Sequence, residues 1–174
     1  MKLKLAEYAQ IAEIVSAFAI VLSLMFVGFQ LKDNAKATRS ATANATVASI
    51  SAWYAGNGQN EQASAILLNG IENPDSLSRE RWFQFAYNMH ALLLNFQNSY
   101  YLVEEGTLDQ KVRDSQTVVI AAVKDQPGFL RVWGLRRDIF FPEFQAYVDA
   151  IIASEEIKSK GLYQDVLPVE EDAD

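Results

Sequence analysis

The most uneven feature of the hydropathy pattern is a long apolar run near the N-terminus. Residues 14–29, IVSAFAIVLSLMFVGF, contain no charged side chain, proline or amide side chain. At 1.5 Å per residue a helix of this length covers about 24 Å, and extension to residues 11–31 gives about 31 Å, enough for a hydrocarbon core of about 30 Å. Glu13 and Gln30 then lie near the ends, where polar groups reach the interface. The pattern predicts a transmembrane helix over 11–31, preceded by an N-terminal flank over 1–10.

Two other interpretations of the apolar run stay open. Lys2 and Lys4 give the basic start of a signal peptide, and Ala35-Lys36-Ala37 resembles a cleavage site, but Glu7 and Glu13 lie where a basic region is expected. A buried helix of a soluble protein would need the residues downstream to surround it on all sides. We therefore favour an uncleaved anchor in the lipid bilayer.

The orientation of the anchor is weakly determined by the flanking charges. Lys32, Lys36 and Arg39 follow the apolar run, while Lys2, Lys4 and the terminal amine precede it. Basic residues prefer the cytoplasmic side, and here the two flanks are equal. Because the chain has no cysteine for disulfides, we expect the C-terminal domain to be cytoplasmic, at a bacterial inner membrane.

Small and weakly polar residues recur along the anchor at alternating steps of three and four. These positions fall on one helical face, and small residues with hydroxyl or amide groups favour close helix–helix contact in lipid. Stripes of this kind also arise by chance in many helices. The spacing predicts a homo-oligomer that associates through this face, which we call the anchor seam: Ala12, Ser16, Ala19, Ser23 and Gln30.

Beyond the anchor, the pattern predicts only helices. Residues 32–56 are rich in alanine and lack an internal breaker, so the anchor helix is expected to continue as a stalk to about Ala55. Gly56-Asn57-Gly58 provides the first stop, and a short helix with the sequence EQASAILLNGI follows.

Three further signals place the remaining helices. Ser78 is the expected N-cap of a helix that runs to about Glu105, with an apolar arc from Trp82 to Tyr100. Thr107-Leu-Asp-Gln110 has the form of a capping box for the next helix. Pro127 and Pro142 suit the first turns of two more. No alternating strand pattern occurs, so we predict an all-α class with a small helical bundle over 57–155.

Three segments resemble an uncharacterised group of bacterial single-pass membrane-anchored all-helical proteins. The segments are AEIVSAFAIVLSLMFVGFQLKDN, NFQNSYYLVEEGTLDQ and PGFLRVWGLRRDIFFPEFQAYVD, and the resemblance covers residues 6–152. It implies an anchor followed by a helical domain, and it brings no known activity. Members often have paired histidines where this chain has Met89-His90, and two tryptophans where it has Val132-Trp133, so no metal or acid–base role is carried over.

Composition and charge exclude several function classes. The formal net charge is −7, and residues 155–174 carry −5 of it, which predicts an acidic disordered tail over 156–174. The rest is nearly neutral and has no basic stripe, so a nucleic-acid partner is not predicted. The absence of cysteine excludes thiolate catalysis and sulfur-ligated zinc. We predict no cofactor, metal or catalytic residue.

The candidates for chemistry each have a structural alternative. His90, the only histidine, suits a general base but more often packs within a helix pair. Glu104, Glu105 and Asp109 cluster near a helix end, where solvation explains them as well as a metal does.

A basic-aromatic cluster is the strongest candidate for a ligand or partner contact. It consists of Arg131, Trp133, Arg136 and Arg137, which we call the arginine–tryptophan group. Arg137 follows Trp133 by four residues and is expected over its ring. The arginines could instead pair with Glu143 or Asp138.

These patterns favour a membrane-anchored helical scaffold or adaptor, or an assembly subunit, that acts through protein–protein interaction. We expect the anchor to drive self-association, with another membrane protein as a further candidate partner. The alternatives are a domain that senses a small anionic ligand and is coupled to the anchor, or an enzyme using His90.

Overall fold

The computed structural model describes residues 5–156, with side chains described from Glu7 onward. Within this range the fold is all-α, as predicted, with a long apolar N-terminal helix followed by smaller helices and no strand. The helices are α1 (Leu5–Gly58), α2 (Glu61–Glu72), α3 (Arg79–Glu104), α4 (Gln110–Val123), α5 (Pro127–Arg136) and α6 (Pro142–Ala153), with 3₁₀ turns at Pro74–Ser76 and Arg137–Ile139. The expected acidic tail lies almost entirely outside the described residues.

The chain divides into two compact units, Met1–Ala41 and Thr42–Asp174. The described part of the first unit is a stretch of α1 alone. It has no proline, and its alanines and unbranched side chains have high helix propensity. Every described side chain from Glu7 to Ala41 is exposed, including the bulky apolar ones.

The described part of the second unit, residues 42–156, is called the head below. Its core forms around α3, whose arc from Phe85 to Phe96 is buried as the 3.6-residue period predicts. Helices α2, α4 and α5 pack against α3, and α6 packs against α4. Phe129, Val132 and Phe144 complete the core from the α5 and α6 side.

The helix ends follow the sequence signals with one exception. Ser78 caps α3 by accepting a hydrogen bond from the Arg81 amide at 3.3 Å. At the start of α4 the expected capping box at Thr107 is wrong: Asp109 is the N-cap and accepts from the Lys111 amide at 2.9 Å. The Thr107 hydroxyl instead donates to the Leu102 carbonyl at the end of α3.

The last turns of α1 belong to the head and pack on α3. Thr46 and Asn57 are buried, and Ile50 and Trp53 lie partly buried against the core. The helix ends at Gly58, three residues beyond the predicted end. These contacts use a face of α1 that the sequence did not single out.

Helices α2 and α5 cross at two glycines. A Cβ on Gly128 would fall on the carbonyl oxygen of Gly70, and one on Gly70 would fall on the ring of Phe85. Both glycines are buried. The close approach of α5 to α2 therefore requires glycine at position 128, and the packing of α2 on Phe85 of α3 requires glycine at position 70.

Candidate functional site

The anchor seam lies along the exposed part of α1. Ala12, Ser16, Ala19, Ser23 and Gln30 are all exposed, as are the apolar residues on the other faces of the helix. The Ser23 hydroxyl donates to the Ala19 carbonyl at 2.8 Å, within the helix. The seam thus offers small residues on one face of a continuous helix, and its role in association stays a prediction.

The arginine–tryptophan group separates into parts with different roles. Arg131 pairs with Asp75 (Nη1 to Oδ1, 2.8 Å), and its guanidinium lies 4.4 Å from the ring centroid of Trp82. It therefore joins α5 to α3 and to the 3₁₀ turn before α3. This contact positions helices within the head.

Arg137 and Trp133 converge on one carboxylate of α6. Arg137 Nε donates to Asp149 Oδ2 at 2.9 Å, Arg137 Nη1 donates to Gln145 Oε1 at 2.6 Å, and Trp133 Nε1 donates to Asp149 Oδ1 at 2.8 Å. The predicted stacking of Arg137 over Trp133 is absent from the ring contacts of the described residues. The hydrogen bond from Arg137, assisted by the bond from Trp133 and by the charge of Arg137, lowers the pKa of Asp149 despite the opposing effect of burial.

Arg136 faces α3 and lacks a carboxylate partner among the described residues. Its guanidinium lies 4.7 Å from the ring centroid of Tyr87. A cation over an exposed aromatic ring is a weak attraction that leaves the guanidinium donors available. Arg131 and Arg137 form ion pairs, and Trp133 is buried and donates to Asp149. Among the described residues, Arg136 is the member of the group that has neither an ion pair nor a buried side chain.

His90, on α3, packs against the turn before α6. Its ring lies 5.1 Å from that of Phe140, and its Nδ1 is buried with no hydrogen-bond partner among the described residues. Burial and, secondarily, the charge of Arg136 lower the pKa of His90, so the imidazole is neutral at pH 7. No serine or carboxylate bonds to the ring there, so the residues described give a packing histidine.

The remaining acidic candidates do not converge. Glu104 pairs with Arg113 at 2.7 Å, and Asp109 caps α4. In the described part of the chain no group of three or more histidine or acidic residues could hold a metal ion.

The sequence reasoning missed a second stripe on α3. Phe83, Tyr87 and Leu94 lie on the side of α3 opposite the core arc and are exposed, and so are three apolar residues near the end of α5. We call these six residues the outer face: Phe83, Tyr87, Leu94, Leu135, Ile139 and Phe141. Phe83 and Tyr87 are four residues apart and Tyr87 and Leu94 seven, so all three were predictable as one stripe of a helix. The stripe was overlooked because the core arc by itself accounts for the apolar residues expected on one face of α3.

Comparison of the chain with models of known protein families, with curated proteins and with solved structures gave no match.

Proposed function

We propose that this chain is a single-pass membrane-tethered helical protein that acts by binding, as a scaffold, adaptor or assembly subunit. One observation carries the proposal. Among the described residues, α1 is the one helix long and apolar enough to cross a bilayer, and none of its most apolar window is buried. Contiguous exposed apolar surface of this size is rare on soluble monomers, because burial of each Å² is worth about 25 cal/mol. Lipid provides the missing apolar surroundings.

Binding is favoured over catalysis by how the polar groups of the head are used. Three polar side chains of the head connect one helix or turn to another: Arg131, Arg137 and Trp133. The ring of His90 packs against Phe140. The exposed surface of the head includes the apolar and aromatic outer face, with Arg136 beside it. Such a face suits a protein partner.

Self-association through the anchor seam is the second part of the proposal. Small residues allow two helices to approach closely in lipid, and the hydroxyls of Ser16 and Ser23 and the Gln30 amide add polar contacts. We further place the head on the cytoplasmic side of a bacterial inner membrane, in line with the resemblance noted for residues 6–152.

A pair of matched double variants tests the tether. Val21→Asp with Leu22→Asp places two carboxylates at the centre of the proposed span, at about 2.5–3.5 kcal/mol each against insertion. Val47→Asp with Ala48→Asp changes exposed residues of the same helix outside the span, and Val21 and Val47 are 52% and 55% exposed. After an alkaline wash of membranes, we expect the wild type and the second variant to remain in the pellet and the first to be lost.

The mass of the purified protein separates an anchor from a signal peptide. The tether requires the residues before Ala37 to be retained. A wild-type protein in the soluble fraction without detergent, or a mature form that begins after Ala37, overturns the proposal.

A further inference from the structure

The outer face groups six exposed apolar side chains of the head. Its six side chains are 43–66% exposed and come from two neighbouring parts of the fold. Phe83, Tyr87 and Leu94 lie on α3, whereas Leu135, Ile139 and Phe141 lie at the end of α5, in the 3₁₀ turn and just before α6. Single exposed apolar residues need no explanation, but a cluster of this kind does.

Contacts along its length show that the two parts form one surface. The rings of Phe83 and Tyr87 lie 4.2 Å apart, and Arg136 covers Tyr87. One turn further along α3, His90 meets Phe140, and beyond it Gln97 Oε1 accepts from the Phe141 amide at 2.7 Å. The segment 135–141 therefore runs beside the outer stripe of α3.

The area of this surface approaches what a specific interface needs. A half-exposed large side chain presents about 100 Å², so the six give about 600 Å² before any polar neighbour is counted. Specific interfaces bury about 800 Å² per partner. Exposed patches of this size on monomers are often functional.

We propose that the outer face is a second interface between two copies of this chain, which pair head to head about a two-fold axis. In a two-fold interface the same patch serves both partners, so it must be complementary to itself. The face meets this condition, because Arg136, without an ion pair among the described residues, lies two positions from Asp138, which is paired with Arg137 at 3.5 Å but keeps a side chain that is 96% exposed. Each copy can set its arginine against the aspartate of the other.

A lipid surface fits the same face less well. Asp138 lies within the segment 135–141 and Glu143 follows it, and an anionic bilayer would repel both carboxylates. A second copy instead offers Arg136 as a further cation for the exposed carboxylate of Asp138, beside the Arg137 of its own chain. This interface rests on the proposed function in one respect: the membrane tether confines the copies to one bilayer and so raises their effective concentration.

Cysteine crosslinking in native membranes tests the interface, because the full chain contains no cysteine. Tyr87→Cys and Ile139→Cys report on the outer face. Val118→Cys is the matched control, since Val118 is 68% exposed on α4, outside the face. Under an oxidant we expect at least five times more covalent dimer from each face cysteine than from the control.

A charge exchange tests self-complementarity. In the Ile139→Cys chain, Arg136→Glu should reduce the dimer at least fivefold, and adding Asp138→Arg should restore it. Thermal unfolding of each purified variant confirms that the head is folded. Dimer yields no higher than that of Val118→Cys, an unchanged yield in Arg136→Glu, no recovery in the exchange, or crosslinking to a different protein would each overturn the inference.

Ser16→Cys, on the anchor seam, keeps the two interfaces distinguishable. A dimer from Ser16→Cys with none from Ile139→Cys rules out the outer-face interface and supports self-association through the anchor. A dimer from Ile139→Cys with none from Ser16→Cys supports the outer-face interface and rules out association through the anchor seam. If neither yields a dimer, both ideas fail.

Discussion

Asp149 shows how a single carboxylate organises one side of the head. It accepts hydrogen bonds from Arg137 and from the Trp133 indole, which places one residue of α6 between the end of α5 and the following turn. The bond from Arg137 is the main cause of its lowered pKa. A carboxylate that is stabilised in the folded state links the stability of the head to pH.

We expect the stability that Asp149 provides to be pH-dependent in a defined direction. Because its pKa is lower in the folded than in the unfolded protein, its contribution is complete above the unfolded value of about 4 and is lost as the pH falls through the folded value. Asp149→Asn should lower the thermal midpoint at pH 7, and its gap from the wild type should narrow toward pH 2–3. Thermal unfolding of the full chain in detergent measures both.

Asp138→Asn is the control for this pH effect. Asp138 also lies near Arg137, at 3.5 Å, but its side chain is 96% exposed. At pH 7 the midpoint of this variant should shift less than that of Asp149→Asn, because Asp138 is exposed and accepts no bond from Trp133. A gap for Asp149→Asn that stays constant with pH would show that the charge of the carboxylate is not what stabilises the head.

The partner of Arg137 could not be read from the sequence. Asp138 and Glu143 were the alternative acidic partners, and Asp138 does pair with Arg137 at 3.5 Å, whereas the expected contact with the ring of Trp133 is absent among the described residues. The principal partner lies twelve residues away on α6 and meets the guanidinium only after α5 and α6 have packed. Sequence spacing predicts neighbours within one helix, whereas the contacts of this residue are set by tertiary packing.

At the scale of elements, the crossing of α2 and α5 depends on the absence of side chains. The Gly70 carbonyl occupies the place of a Gly128 Cβ, and the Cα of Ile71 lies 2.9 Å from that place. Backbone atoms of a packed helix cannot move aside as a flexible side chain can. Any larger residue at position 128 must therefore separate the two helices.

Gly128→Ala should destabilise the head by about 1–3 kcal/mol or more, as overpacking does in other cores. Gly134→Ala, in the same helix, is the matched control because nothing lies within 4 Å of its added Cβ. That variant should gain about 0.5–1 kcal/mol from the higher helix propensity of alanine. Denaturant unfolding of both variants gives the comparison, and equal effects would contradict the packing argument.

The starts of the helices were largely predictable from the sequence, and the N-cap of α4 is the one that was predicted wrongly. Ser78, Pro127 and Pro142 mark the helix starts as local chemistry requires, because a cap acts within one turn of the chain. Thr107 and Asp109 both suit an N-cap, and they compete for the same helix. Thr107 is drawn to the end of α3, where Gly106 adopts φ +70° and reverses the chain, so Asp109 caps α4.

At the scale of the whole molecule, the sequence predicted an apolar helix followed by a helical head. It did not predict which residues at the end of α1 pack on α3. Continued beyond the anchor, the three- and four-residue steps of the anchor seam reach Asn44, Val47 and Ser51. All three are exposed. Packing on α3 uses other positions, beginning at Thr46, because the aromatic and amide residues that match α3 lie there.

Asn57, at the end of α1, holds this helix on α3 through a reciprocal amide pair. Its Nδ2 donates to Asn88 Oδ1 at 3.5 Å, and the Asn88 amide donates back to Asn57 Oδ1. Trp53 Nε1 donates to the Asn88 carbonyl at 3.1 Å, and Ser64 donates to the Asn57 carbonyl at 2.6 Å. Because Asn57 is 7% exposed, water cannot easily replace a lost partner.

Asn88→Ala should therefore destabilise the head by about 1–3 kcal/mol, since it leaves the buried Oδ1 of Asn57 without its donor, while Asn57 Nδ2 keeps its bond to the Trp53 carbonyl. Adding Asn57→Ala removes that amide as well, so the double variant should lose less than the sum of the two single variants. Hydrogen exchange over residues 46–58 should quicken in both single variants. Asn44→Ala, at an exposed position of the same helix, should change neither measurement. Additive losses would show that the two amides stabilise the head independently and that their reciprocal pair does not hold α1 on α3.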